Sequence, residues 1–355
     1  MKSSIVIYRL GSLGDTVVAL PCFHRIARSF PDAERILLTN VPVSTKAAPV
    51  EAVLRGTGIV DRVIAYPLSL RSPAALLGIW RQLRGSGADT LVYLAEKRGI
   101  FPAWRDWLFF RACGFRRIVG VPLTPDLQSN RVDPVTGEIE PEHERLARCL
   151  APLGSIDFKD AANWDLCLTR DEEERGREAV APFAGEPFLA INMGGKVADK
   201  DWGVVNWHSA LSELGGRFPG LGLLVVGAAE DGERAREIIA RWPGIGLDRC
   251  GQLSVRETAA ALGHATAFIG HDSGPLHLAS SRGTRCVGLF GSYNKPREWH
   301  PHGSGHRIIH RVAGIEAITV DEVVGAAGEV LGDTAGAVRQ ARRGEAAAAR
   351  VQGRP

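Results

Sequence analysis

Three stretches of this sequence put reactive side chains where a strand gives way to a helix. The first is GSLGDTVVALPC, from Gly11 to Cys22. Ile5, Val6 and Ile7 before it read as a buried strand, and Val17, Leu20, Phe23 and Ile26 recur at helical spacing. Asp15 therefore stands near the start of a helix at the carboxyl end of a strand, the edge where open α/β sheets bind ligands. A carboxylate there can act as a general base, and Gly11 and Gly14 let a substrate approach the backbone. The plainer reading is a carboxylate that stabilises the helix N-terminus. The second stretch is HDSGPLHLA, from His271 to Ala279. Asp272, Ser273 and Gly274 form a small-residue turn, Pro275 suits the first helical turn, and the free N–H groups there make an anion site. His277 lies on that turn, where a core histidine is the plain reading. The third stretch, GGKVADKDWG from Gly194 to Gly203, sets Lys196 and Lys200 ahead of a helix. Lysines so placed suit a leaving diphosphate, with solvated loop lysines as the alternative. Asp199 and Asp201 imitate a DxD metal motif, but Lys200 lies between them and would repel the ion, so no metal site is expected.

Two further groups invite chemistry. Between Glu96 and Arg117 lie Lys97, Arg98, Arg105, Arg111, Arg116 and Arg117 against only Glu96 and Asp106, interleaved with Trp104 and Trp107. At helical spacing Trp104, Leu108 and Arg111 share one side, with Arg105 beside it. This is either a core helix with Trp107, Phe109 and Phe110 buried and its arginines solvated, or a basic rim with an aromatic platform for a sugar. His300, His302, His306 and His310 have metal-like spacing, but Pro301, Gly303 and Gly305 suggest a loop and no acid or cysteine completes a ligand set.

The elements that must hold these residues alternate strand and helix throughout, which argues for parallel sheets with helices on both faces. IVIY, RILLTN, RVIAYP, DTLVYLA and RRIVGVP read as strands of a first set, with helices near Thr45–Leu54, Ala74–Arg84 and from Pro102 to Gly114. Residues 124–140 carry Pro, Asp, Asn and Gly and read as a loop. A charged helix and a Pro/Gly break near residues 170–187 form the linker, and FLAINMGG opens a second set that closes with a helix near Val320–Leu331. The expected division is 1–178 for the first domain, 179–335 for the second and a frayed Ala/Arg-rich tail at 336–355.

At 355 residues the chain exceeds what one core usually fills, which also favours two domains. The net charge of +3 does not indicate a nucleic-acid binder. Six scattered cysteines without a CxxC pair suit reduced cytosolic thiols. The first apolar run is a glycine-bounded strand rather than a signal peptide, and no run is long enough for a transmembrane helix.

Together the three stretches resemble glycosyltransferase family 9, the bacterial ADP-heptose transferases of lipopolysaccharide core assembly. The family's (R/K)xxxxGD segment and leucine-proline pair correspond to Arg9–Asp15 and Leu20–Pro21. Its KxWP and following helical tryptophan correspond to Lys200–Trp202 and Trp207, with Gly203 in place of the proline. Its (D/N)(S/T)G(P/L)xHxA segment and a strand ending LFG correspond to Asp272–Ala279 and Leu289–Gly291. The matches run from residue 5 to about residue 330. The resemblance implies an α/β GT-B fold, two Rossmann-like domains with parallel sheets facing a central cleft. It implies inverting, metal-independent transfer of heptose from ADP-L-glycero-D-manno-heptose, with no cofactor. Asp15 would be the base and Lys200 would stabilise the leaving diphosphate. Gly14, Lys196, Asp272, Ser273, Gly274, Pro275 and His277 would bind the donor, and Glu230 or Asp231 its ribose. Arg98, Trp104 and Arg105 would meet an acidic glycolipid acceptor, in a cytoplasmic enzyme with room for contact at the inner membrane face. A GT-B transferase using another nucleotide sugar, and a non-catalytic nucleotide-sugar binding protein, are the alternatives. The acid and histidine arrangement of nucleotide-sugar epimerases, which share the fold, is not found.

Overall fold

The computed structural model describes residues 3–40, 48–66, 73–195 and 197–332. They form two compact units. The first comprises residues up to Glu174 together with Ser254–Ala260 and Asn294–His302; the second comprises Arg175–Leu253, Ala261–Tyr293 and the chain from Gly303. The division falls inside the helix Arg170–Val180, and two short pieces expected in the second domain cluster with the first unit. Lys196 and the tail lie outside the described residues.

Among the described residues the first unit contains a parallel sheet of β1 (Ser4–Tyr8), β2 (Glu34–Asn40), β3 (Arg62–Tyr66), β4 (Thr90–Tyr93) and β5 (Arg117–Val119), in the order β3-β2-β1-β4-β5. The apolar run of β1 is buried on both faces, as a covered central parallel strand requires. One face packs Val6, Tyr8, Leu38, Leu91 and Tyr93 against Ile79, Leu83 and Phe110 of the helices Pro73–Gly85 and Ile100–Ala112. The helix after β1 is broken at Ala19 into Leu13–Val18 and Leu20–Ser29. Pro21, with no N–H to donate and a ring that crowds the preceding turn, accounts for the break.

The second unit contains β6 (Phe188–Asn192), β7 (Gly222–Val225), β8 (Gly246–Asp248), β9 (Ala267–His271), β10 (Cys286–Phe290) and β11 (Arg307–His310), again parallel, in the order β11-β10-β9-β6-β7-β8. Trp202 and Trp207 are fully buried in its core beside Leu189, Leu223 and Ile269. Two strands correct the sequence reading. β8 was not anticipated, and β11 occupies residues read there as a histidine loop. Both are short edge strands whose pairing depends on the neighbouring strand, β7 or β10, rather than on a long apolar run of their own.

Both sheets reverse their strand order once. In the first the reversal lies between β1 and β4, in the second between β6 and β9. Chains leaving adjacent strands at such a point diverge to opposite faces and open a crevice at the carboxyl ends, where open α/β sheets bind ligands.

Candidate functional site

The crevice of the first sheet holds Asp15, carried past the end of β1, and Glu96, three residues past the end of β4. Asp15 Oδ2 accepts the Ser12 N–H at 2.6 Å and the Ser12 hydroxyl at 2.9 Å, which anchors the first turn of the helix. Beneath it the fully buried Arg9 donates to the Leu94 carbonyl at 3.1 Å and to the Asp15 carbonyl, tying the exit of β1 to the exit of β4. Gly11 is required on two counts. Its φ is +147°, and a Cβ there would stand 2.8 Å from the Asp15 Cβ. Gly14 lies in the same first turn. Glu96 shares a side-chain hydrogen bond with Asp15; burial first, and then the Asp15 charge, push its carboxyl above the usual range. Asp15 is thus both helix cap and one member of a carboxyl pair. Sequence reasoning did not select Glu96, because only the strand order brings residues 15 and 96 together.

The crevice of the second sheet holds Lys200 from the segment after β6 and Asp272 from the turn after β9. Lys200 Nζ donates to Asp272 Oδ2 at 2.7 Å and lies 4.2 Å from the centre of the Tyr293 ring. Asp272 leads into the helix Gly274–Ser281, whose N-cap is Ser273 and whose first turn holds Pro275. Ser273 Oγ donates to Asn192 Oδ1 at 3.1 Å, and Asn192 Nδ2 donates to the Val226 carbonyl at 2.9 Å. Asn192, at the last position of β6, therefore pins the helix start to the neighbouring strand exit. His277 is buried in that helix. His271, last in β9, accepts at Nε2 from the Trp202 N–H (3.2 Å) and from Trp207 Nε1 (3.3 Å). It must be neutral to do so, and burial lowers its pKa to about 4. Asn192, His271 and Tyr293 escaped the sequence reading, since nothing but their position at or just beyond strand ends marks them.

Asp201 is held by Arg234 at 2.8 and 3.1 Å and accepts the Gly203 N–H at 2.9 Å. Burial opposes its charge, but these donors outweigh it and keep the carboxyl below the ordinary range. Gly203 has φ +92°, a conformation closed to proline, which also lacks the N–H that Asp201 receives. This chain's departure from the family's KxWP pattern is therefore built into the loop. Glu230 and Asp231 part company. Asp231 Oδ2 accepts the Ala228 N–H at 2.8 Å and packs so closely on Gly194 and Gly227 that a Cβ at either would clash with it. Glu230 instead lines a groove of about 410 Å³ with Asp201, Glu233, Arg234 and Glu237.

In the basic segment, Asp106 is buried and receives the Tyr93 hydroxyl at 2.9 Å and the Arg105 guanidinium at 2.7 and 3.1 Å, with Arg98 at 3.7 Å. Arg98 and Arg105 are therefore partners of a buried acid while keeping part of each side chain in solvent. Trp104 is half-exposed and meets Trp107 edge-to-face; of the aromatics on this helix read as core, Phe110 is fully buried. The four histidines have separate partners. His300 Nε2 accepts the Arg297 N–H, His302 stacks on Trp164, His306 Nδ1 accepts the Cys286 N–H and His310 stacks on Phe290.

Two parallel-sheet α/β domains, each with polar residues at a strand-order reversal, are the architecture of the GT-B fold. The crystal structure of the glycosyl transferase family 9 from Veillonella parvula DSM 2008 superposes with a TM-score of 0.70 at 16% identity, covering 94% of this chain and 98% of that one. The Escherichia coli heptosyltransferase WaaC with ADP-2-deoxy-2-fluoro heptose superposes with a TM-score of 0.60 at 14% identity, covering 92% and 99%. In sequence, Lipopolysaccharide heptosyltransferase 3 of Escherichia coli (strain K12) is 23% identical over 298 residues, 79% of this chain and 80% of that protein. Residues 139–317 match glycosyltransferase family 9 (heptosyltransferase), and the chain belongs to that family.

Proposed function

We propose that this enzyme transfers a heptose, with inversion, from ADP-L-glycero-D-manno-heptose to an acidic lipopolysaccharide core acceptor. The observation that carries the reading is Lys200 beside Asp272 at the N-terminus of the helix Gly274–Ser281, where a cation stands at the positive end of a helix dipole. In the reaction Asp15 takes the proton of the attacking hydroxyl, the hydroxyl oxygen bonds to the anomeric carbon, and the sugar–phosphate bond breaks with ADP leaving. Lys200 and the N–H groups of Ser273 and Gly274 stabilise the charge that develops on the diphosphate, with Pro275 shaping the turn and His277 supporting it. A cation and helix dipole so placed take the role a metal plays elsewhere, and Asp201 is already committed to Arg234. Glu230, open to a groove where Asp231 is turned inward, is the better partner for the ribose hydroxyls. Arg98 and Arg105, held in place by Asp106, meet the acceptor's anionic groups and Trp104 one of its sugar rings.

The test is mass spectrometry of products after incubation with ADP-heptose and heptose-deficient core acceptors. A product heavier by one heptose supports the reading. Turnover only with a different nucleotide sugar overturns the donor, and binding without any turnover overturns the enzyme role in favour of a binding protein.

A further inference from the structure

Tyr293 stands in a turn three residues past the end of β10 and, large as it is, remains 57% exposed. It takes no place in the core of the second unit, yet its ring has a partner: Lys200 Nζ lies over the ring face, 4.2 Å from its centre. Three strand exits bring this group together. β9 and β10 are paired with Leu289 beside His271, and the Asp272 N–H donates to the Leu289 carbonyl at 3.1 Å. Asp272 and Tyr293 therefore leave neighbouring strands at the same sheet edge. Lys200 reaches them from the segment after β6, on the other side of β9. Its Nζ donates to Asp272 Oδ2 at 2.7 Å and, less closely, to the Asp272 carbonyl at 3.3 Å.

The two kinds of partner act differently on the ammonium. Asp272 carries a negative charge and offsets part of what a diphosphate would meet. An aromatic ring attracts a cation through its quadrupole and carries no net charge, so it orients the ammonium without neutralising it. Lysine ends a flexible four-carbon stem, and ordering that stem opposes binding whenever it engages a ligand. A ring that already holds Nζ in place lowers this cost, which raises affinity by preorganisation. The attraction comes from the ring and not from the phenol hydroxyl. We propose that Tyr293 is a positioning residue that holds the Lys200 ammonium at the N-terminus of the helix Gly274–Ser281, ready for the donor's diphosphate. The role rests on the reading of Lys200 as a diphosphate ligand and adds to it a residue outside all three sequence motifs.

The experiment is calorimetric titration of ADP into the full-length protein as wild type, Tyr293→Phe, Tyr293→Leu, Lys200→Met and the double variant Tyr293→Leu/Lys200→Met. Phenylalanine retains the ring and should bind ADP within about twofold of wild type. Leucine has apolar bulk but no quadrupole and should weaken ADP by about three- to tenfold. In the Lys200→Met background the leucine substitution should have no further effect, because the ring acts through the lysine. Circular dichroism melts check that each variant is folded; should Tyr293→Leu fail, Tyr293→Met replaces it. Three results overturn the role of Tyr293 alone: ADP weakened by Lys200→Met but not by Tyr293→Leu, an equal loss from Tyr293→Leu with and without Lys200, or a loss in Tyr293→Phe as large as that in Tyr293→Leu. ADP affinity unchanged in Lys200→Met, or absent from wild type, overturns the donor reading of Lys200 and the positioning role with it.

Discussion

Asp15 does two jobs that one substitution can separate. Asparagine keeps an oxygen for the Ser12 N–H but cannot take a proton, so Asp15→Asn should leave folding and donor affinity close to wild type. Its kcat should fall by roughly 10²–10⁴-fold, the usual worth of a general base. Donor calorimetry and single-turnover rates check both halves, and a kcat within a few-fold of wild type would reduce Asp15 to a helix cap. Glu96 adds a pH signature. Burial, the Asp15 charge and Glu142 raise its pKa, while Arg9 works against them. A protonated Glu96 donates to the Asp15 carboxylate and occupies one of its oxygens; losing that proton leaves the oxygen open to a substrate hydroxyl. The acidic limb of the rate profile should therefore lie above the ordinary carboxylate range. In Glu96→Gln the amide donates at every pH, so that later ionisation should vanish from the profile while KM for donor stays put.

At the scale of elements, the segment between β6 and the helix Val204–Arg217 is the best place to test how local geometry sets function. Gly203→Pro would restore the family's residue, yet it forces φ away from +92° and removes a donor to Asp201. It should cost on the order of 1–3 kcal/mol and weaken donor binding through Lys200, read by thermal melts and calorimetry. His271 fastens the same segment and gives it an acid limit. The unfolded chain gains this proton near 6.5 and the folded one only near 4, so the unfolded state binds more protons between those values. Stability from this site is therefore complete above about 6.5 and is lost as pH falls toward 4. Between pH 7 and 5 the loss should be roughly 2 kcal/mol in urea unfolding, and it should be absent in His271→Gln, whose amide oxygen can still accept. These elements also mark what the sequence disclosed. Alternating apolar runs and the glycine-bounded turns at Asp15 and Asp272 were legible because they rest on local periodicity and backbone chemistry. Glu96, Asn192, His271 and the edge strands β8 and β11 were not, because their partners lie far along the chain and only strand order brings them near. The expectation for Lys196 falls outside the described residues.

On the whole-molecule scale, the described residues include no helix long and apolar enough to cross a membrane. What the molecule has instead is a first unit completed by chain from beyond residue 250. Arg256, nearly buried, donates to both carboxylate oxygens of Glu172 and to the carbonyls of Val53, Leu166 and Cys167. Glu298 receives Lys97, and its carbonyl accepts the Glu142 N–H at 2.9 Å. A fragment of residues 1–178 would lose these partners and leave three inward carbonyls without a donor, so it should express as an aggregation-prone species, seen by size exclusion and loss of a cooperative melt. The same interleaving bears on how such enzymes can diversify. Exchanging C-terminal halves between relatives at one crossover would import a foreign residue at 256 and another at 298. A functional chimaera needs an incoming half that carries arginine and glutamate there, which makes those two positions compatibility markers for recombination.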